Sequence, residues 1–156
     1  MEWIDQLWVV AATAYAMVLG GVIGVERELK NRPAGFRTHM LVAGAAAMLL
    51  GIGHLVLVGD STDYTSRVQI DPLRLIESVI AGVSFIGAGT IFAGGRGQSV
   101  AGITTAASLL MVAVIGVAAG LRYYALATAA TLLTLLILTV LNVLERRLAP
   151  RNDQNH

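Results

Sequence analysis

The sequence predicts an all-α integral membrane protein with five transmembrane helices, its N-terminus outside and its C-terminus cytoplasmic. Three observations carry this. Of 156 residues, 56% are hydrophobic and only 13% are charged. A soluble domain has roughly 25% charged residues, so this chain has too little polar surface to cover a core in water. Five runs lack Asp, Glu, Lys and Arg altogether: 6–25, 38–59, 78–95, 97–121 and 123–144. Each is about the ~20 residues a helix needs to cross a bilayer, and each is continuously apolar where a membrane strand would alternate. Finally, five crossings place eight basic residues on one side (Arg27, Lys30, Arg32, Arg37, Arg96, Arg146, Arg147, Arg151) and three on the other (Arg67, Arg74, Arg122). The positive-inside rule assigns the eight to the cytoplasm.

The first run ends in a glycine stripe, Gly20-xxx-Gly24, and passes into six charges within twelve residues, Glu26 to Arg37. Helices in lipid associate by close contact, which favours small residues. Gly44 to Ala47 supply them on the second helix. Ser78, Gly82, Gly87 and Gly89 do so on the third, and Gly102, Gly116 and Gly120 on the fourth. The fifth run, rich in leucine from Leu132 to Leu141, is expected to face lipid. Trp3, Trp8, Tyr123 and Tyr124 are expected at the outer interface.

The connection 60–72 carries Asp60, Asp63 and Asp71 against Arg67 and reads as a solvated outer loop able to attract a divalent cation. Asp71-Pro72 has the form of a helix cap and first turn. Arg74 and Glu77 then lie three apart, the spacing of a helical ion pair. Glu77 falls inside the membrane span, where a charge is costly and marks a candidate site. The connection 94–99 is short and glycine-rich and reads as a hairpin turn between the third and fourth helices. Residues 1–144 form the transmembrane domain. Residues 145–156 read as a cytoplasmic tail, with no C-terminal soluble domain expected.

The candidate ion-pathway or polar-cluster residues are Glu26, Arg27, Glu28, Arg37 and Thr38 at one end, Asp71, Arg74 and Glu77 at the other, and Thr104 and Thr105 early in the fourth helix. Glu26 is expected to turn into the bundle and pair with Arg37 or Arg27. Threonines are cheap in a membrane helix because they can bond their own carbonyls. His39 and His54 stand isolated, without metal-ligand spacing. With no cysteine, no nucleophile–base constellation and no nucleotide loop, neither an enzyme nor a cofactor is expected. A net charge of +1 gives no reason to expect nucleic acid as a partner.

Glu26-Arg27-Glu28 followed by Pro33-Ala34-Gly35-Phe36-Arg37-Thr38-His39-Met40-Leu41-Val42 resembles the signature of the MgtC/SapB family of bacterial membrane proteins. The resemblance continues at Asp71-Pro72-Leu73-Arg74 and through Ile80 to Ile91, and returns at Val100-Ala101-Gly102-Ile103-Thr104-Thr105-Ala106-Ala107-Ser108-Leu109. Ala101 stands where the family commonly has a basic residue, and Leu110 where it commonly has Trp. The resemblance implies a multi-pass protein of the bacterial inner membrane, linked to magnesium homeostasis, adaptation to low magnesium and, in some pathogens, survival inside host cells.

Two functions fit. One is a regulator working through membrane helix contacts, with itself as a homo-oligomer (a dimer first) or with other membrane proteins. The other is a transporter or channel for Mg2+ or another cation, with a pathway beside the third helix. The lipid bilayer is the partner common to both.

Overall fold

The computed structural model describes residues 3–59, 71–92 and 102–148, with side chains described to Leu57 in the second helix and to Val140 in the fifth. It contains five helices: α1 (Trp3–Leu29), α2 (Phe36–Gly59), α3 (Pro72–Phe92), α4 (Ile103–Gly120) and α5 (Tyr124–Leu148). Of the connections expected at 60–72 and 94–99, residues 60–70 and 94–99, with Asp60, Asp63, Arg67 and Arg96, lie outside the described residues. The same is true of the tail beyond Leu148.

Four of the helices, α1 to α4, are long and apolar enough to cross a membrane. The fifth has a shorter apolar stretch, Tyr124–Val140, among the described residues. The polar joints, more than the apolar runs, set where the helices end. Asn31 adopts a left-handed φ of 52°. The Arg32 amide bonds back to the Arg27 carbonyl and the Asn31 amide to Glu28. This is a Schellman stop, and Pro33 follows it. Arg122 (φ 66°) closes α4 in the same way, with Tyr123 bonding to Ala118 and Arg122 to Ala119. At the start of α3, Asp71 Oδ1 accepts the Leu73 amide at 2.9 Å, the cap the sequence predicts, with Pro72 in the first turn.

The helices alternate in direction, and α4 is the central one. Among the described residues it touches all four others, whereas α3 touches only α2 and α4, and α5 only α1 and α4. One face of α4 (Val112, Ile115, Ala118, Ala119) joins Ala16, Leu19 and Ile23 of α1 with Ala43 and Ala47 of α2 and Ala127 of α5. Another (Leu109, Ala113, Val117) joins Ala46 and Leu50 of α2 with Val79 and Val83 of α3. Alanine dominates because backbone proximity, and not exclusion of water, holds helices together in lipid.

The glycines show this division. A methyl at Gly20 would stand 2.5 Å from the His39 carbonyl, at Gly24 2.6 Å from Phe36 Cα, and at Gly120 2.6 Å from the Ala47 carbonyl. Gly116 is closed by the Ala43 carbonyl in the same way, and Gly87 meets the Ala106 methyl at 3.2 Å. Gly82 and Gly89, expected as contact residues too, have nothing within 4 Å. On α3 only Val79, Val83 and Gly87 are buried, and Phe85 and Phe92 stand almost fully exposed.

Helix α5 buries two of its hydroxyls and exposes several of its leucines, while Leu135 and Leu138 pack against the core. Thr131 and Thr134 are buried, while Leu132, Leu133 and Leu136 are exposed. Each threonine bonds the carbonyl four residues back, Ala127 and Ala130 respectively. The aromatic end of the bundle joins α1 to α5: Tyr15 meets Tyr124 edge to face at 5.3 Å and bonds Thr128, and Arg122 lies 6.0 Å over the Trp8 ring.

Candidate functional site

The charged end of the bundle is where α1 finishes, α2 begins, α4 begins and α5 passes. Close contact of α1 with α2 at Gly20 and Gly24 brings the α2 start against α1, and α4 wedges beside both. Three consecutive residues of α1 consequently point at three different partners.

Arg27 is the deepest charge, only 2% exposed. Its Nη2 donates to Thr105 Oγ1 at 3.2 Å. Glu26 does not reach Arg37 or Arg27 as expected. It pairs with Lys30, one helical turn on, and its Oε2 has no hydrogen-bond partner among the described residues. Lys30 also donates to the Leu138 carbonyl of α5 at 3.0 Å, so this one ammonium links α1 to α5. Glu28 lies on the exposed side. Its Oε2 accepts the Phe36 amide at 2.9 Å and so caps the first turn of α2. A methyl at Gly35 would stand 2.8 Å from that carboxylate oxygen, which is a reason for the Ala-Gly-Phe spelling there. Arg37 is exposed and Thr38 half-buried.

His39 is not isolated, contrary to the sequence expectation. It is fully buried, with Nδ1 2.9 Å from the Gly35 carbonyl and Nε2 3.1 Å from Ser108 Oγ. A carbonyl only accepts, so Nδ1 carries a proton and, in the neutral ring, Nε2 is the acceptor. Ser108 Oγ also lies 2.8 Å from the Thr105 carbonyl. Arg27, Thr105, Ser108, His39 and Gly35 thus form one continuous polar chain across α1, α4 and α2. His39 and Ser108 were missed as partners because neither has a local signal. The only hint is the four-residue spacing of Gly35 and His39.

Thr104, predicted together with Thr105, is exposed, whereas Thr105 is 1% exposed. Gly102, with φ 115°, precedes α4 and has no side chain to cap it. A methyl there would stand 2.7 Å from the Thr90 carbonyl. At the other end, Asp71, Arg74 and Glu77 are all exposed. The expected Arg74–Glu77 pair is absent among the described residues. Glu77 lies on the outside of α3. The α2–α3 groove, of about 410 Å³, is lined instead by Ala45, Ala46, Leu49, Ser78, Gly82 and Ile86 among others. Among the described residues, no three His, Asp or Glu side chains come together as a metal cluster.

Three stretches meet here, 26–28, 33–39 and 102–108. The MgtC family model matches residues 13–147, nearly the whole helical bundle. The chain belongs to the MgtC family. The protein named MgtC in Brucella abortus (strain 2308) is 38% identical to it over 131 residues, 84% of this chain and 50% of that protein. Protein SapB of Bacillus subtilis is 34% identical over 126 residues, 80% of this chain and 52% of SapB. The Escherichia coli K12 protein named "Putative magnesium transporter YhiD" is 37% identical over 113 residues, 71% of this chain and 50% of that one. The chain spans about half the length of these curated relatives. No solved structure matches it. With its long apolar helices, this MgtC-family chain is a multi-pass bacterial membrane protein. The polar chain from Arg27 to His39 lies wholly within the matched region: 26–28 supplies the charge, 33–39 the histidine and its carbonyl, and 102–108 the two hydroxyls between them.

Proposed function

We propose that this MgtC-family chain crosses the bacterial inner membrane five times, N-terminus outside, and serves magnesium homeostasis as a regulator that acts through helix contacts in the membrane. The observation behind this reading is the free face of α3. Every close-packed glycine of α1, α2 and α4 already has a neighbour, while Gly82 and Gly89 have none within 4 Å among the described residues and Phe85 of the same helix is exposed. Open small residues are where another membrane helix can approach closely. The partner is another membrane protein or a second copy of this chain.

A second reading is a transporter of Mg2+ or another cation with a pathway beside α3. The name of the Escherichia coli relative favours it, as does the presence of Glu77 in a membrane helix. Magnesium retains several waters and prefers carboxylates, and Glu77 is the carboxylate that α3 offers. Magnesium flux into liposomes holding the purified chain separates the two. The regulatory reading expects flux equal to that of empty liposomes, for wild type and Glu77→Gln alike. Flux present in the wild type and lost in Glu77→Gln would establish the transporter.

A further inference from the structure

Helix α3 gives one face to the bundle and leaves the other bare. Its buried residues are Val79, Val83 and Gly87, one turn apart. Two residues on from a buried position, a helix has turned through about 200°, to its far side. Ala81 and Phe85 stand there, and the same seam runs to Arg74 and Ser78 at one end and to Ala88 and Phe92 at the other. The steps from Arg74 to Phe92 alternate between four and three residues, the repeat that keeps two helices in contact along one seam. Among the described residues this seam is open: Phe85 is 83% and Phe92 84% exposed. Ser78 donates to the Arg74 carbonyl at 2.8 Å, so its hydroxyl is satisfied within the helix.

The seam is complementary to itself. Phenyl rings alternate with small residues, and a cation lies one turn from an anion. Arg74 and Glu77 are both exposed, and among the described residues neither forms an ion pair. Copies of one sequence carry the same basic residues and so enter a membrane in the same direction. Two α3 helices that meet on this face therefore run parallel about a twofold axis, where residue i meets j and j meets i. Arg74 of one copy then stands within about 4.5 Å, measured along the axis, of Glu77 of the other, and the contact occurs twice. Phe85 of each copy faces the small Ala81 and Ala88 of the other. An antiparallel pair would set Arg74 opposite Phe92. An acyl chain would use neither charge, and an unrelated helix would need only one half of each match, whereas this face carries both halves.

We propose that α3 pairs with α3 of a second copy of this chain, parallel and twofold, with Arg74 and Glu77 exchanging ion pairs and Phe85 seated between alanines. The inference rests on the reading of α3 as a contact face and names its occupant.

The chain has no cysteine, so an introduced thiol reports on its own position alone. A disulfide needs the two Cα atoms within about 7 Å. In native membranes under mild oxidation, Ala81→Cys is expected to convert largely to a linked dimer. Val18→Cys and Leu133→Cys, at exposed positions of α1 and α5, are expected to stay monomeric. Co-expression of two differently tagged copies tests the charges. Arg74→Glu puts two anions at this end of α3, and Glu77→Arg two cations. The mixed pair is expected to exceed either like pair by roughly fivefold, the scale of two surface ion pairs. Phe85→Ala is expected to weaken the dimer and leave unfolding of the detergent-separated chain unchanged, because the ring is exposed. Linking at Ala81→Cys no greater than at the α1 and α5 positions, or mixed and like pairs in equal amount, would overturn the proposal. Photo-crosslinking from position 85 to a different membrane protein in place of a second copy would overturn it too, while the regulatory reading stands. Magnesium flux through protein that links at Ala81→Cys would support the pairing and remove the regulatory reading.

Discussion

The Arg27 guanidinium donates to Thr105 Oγ1 at 3.2 Å, joining α1 to the first turn of α4 across 78 positions of sequence. Thr105→Val keeps the shape and removes the acceptor, leaving a buried guanidinium with one bond fewer. The expected cost is about 1–3 kcal/mol, read as earlier unfolding by heat or denaturing detergent. Thr104→Val, at the exposed neighbour, is expected to be close to neutral, because its hydroxyl holds no other helix.

The His39 ring is held in one orientation by two hydrogen bonds, and this fixes its tautomer. The Gly35 carbonyl requires a proton on Nδ1, so Ser108 must share its single hydroxyl proton between His39 Nε2 and the Thr105 carbonyl. Nitrogen NMR of the neutral ring is expected to show Nδ1 protonated and Nε2 bare. Ser108→Ala leaves the buried Nε2 without a donor and is expected to cost about 1–3 kcal/mol. A spectrum showing the proton on Nε2 would contradict the geometry.

How much of this was legible from the residues depends on sequence distance. The helices follow from apolar runs, and the Asp71-Pro72 cap of α3 follows from residues two apart. The close contacts at Gly20 and Gly24 follow from a local motif. By contrast, the His39–Ser108 and Arg27–Thr105 bonds join residues 69 and 78 apart, and only the placement of α4 between α1 and α2 creates them. The sequence turns Glu26 toward Arg37 or Arg27, yet the four-residue helical spacing to Lys30 prevails. Gly82 and Gly89 show the converse. A small-residue stripe indicates that a helix can be approached, and here, among the described residues, nothing comes within 4 Å of a methyl placed at either glycine.

This contrast between glycines is testable by one kind of substitution. Gly24→Ala places a methyl 2.6 Å from Phe36 Cα, a backbone atom that cannot rotate away. It is expected to separate α1 from α2 and to lower folded yield, with a cost of about 1–3 kcal/mol for overpacking. Gly82→Ala and Gly89→Ala meet open space and gain helix propensity, so each is expected to be neutral or to stabilise the isolated chain by up to about 1 kcal/mol. If the α3 face binds a partner helix, the same two variants weaken that association while leaving the isolated chain intact. Co-purification and unfolding measured on the same samples separate these effects.

The Glu26–Lys30 pair is expected to behave as a unit. Lys30 neutralises a carboxylate that is only 12% exposed and at the same time donates to the Leu138 carbonyl of α5. Lys30→Met removes both contacts and leaves the carboxylate without a cation, for an expected loss of about 2 kcal/mol. Glu26→Gln alone is expected to cost less, because Lys30 keeps Leu138 and can extend toward water. The double variant is expected to be more stable than Lys30→Met, since the charge that needed a partner is gone and only the α1–α5 link is lost. Unfolding of all four proteins gives the coupling directly. Strictly additive losses would show that the two side chains act separately and that Glu26 finds its compensation elsewhere.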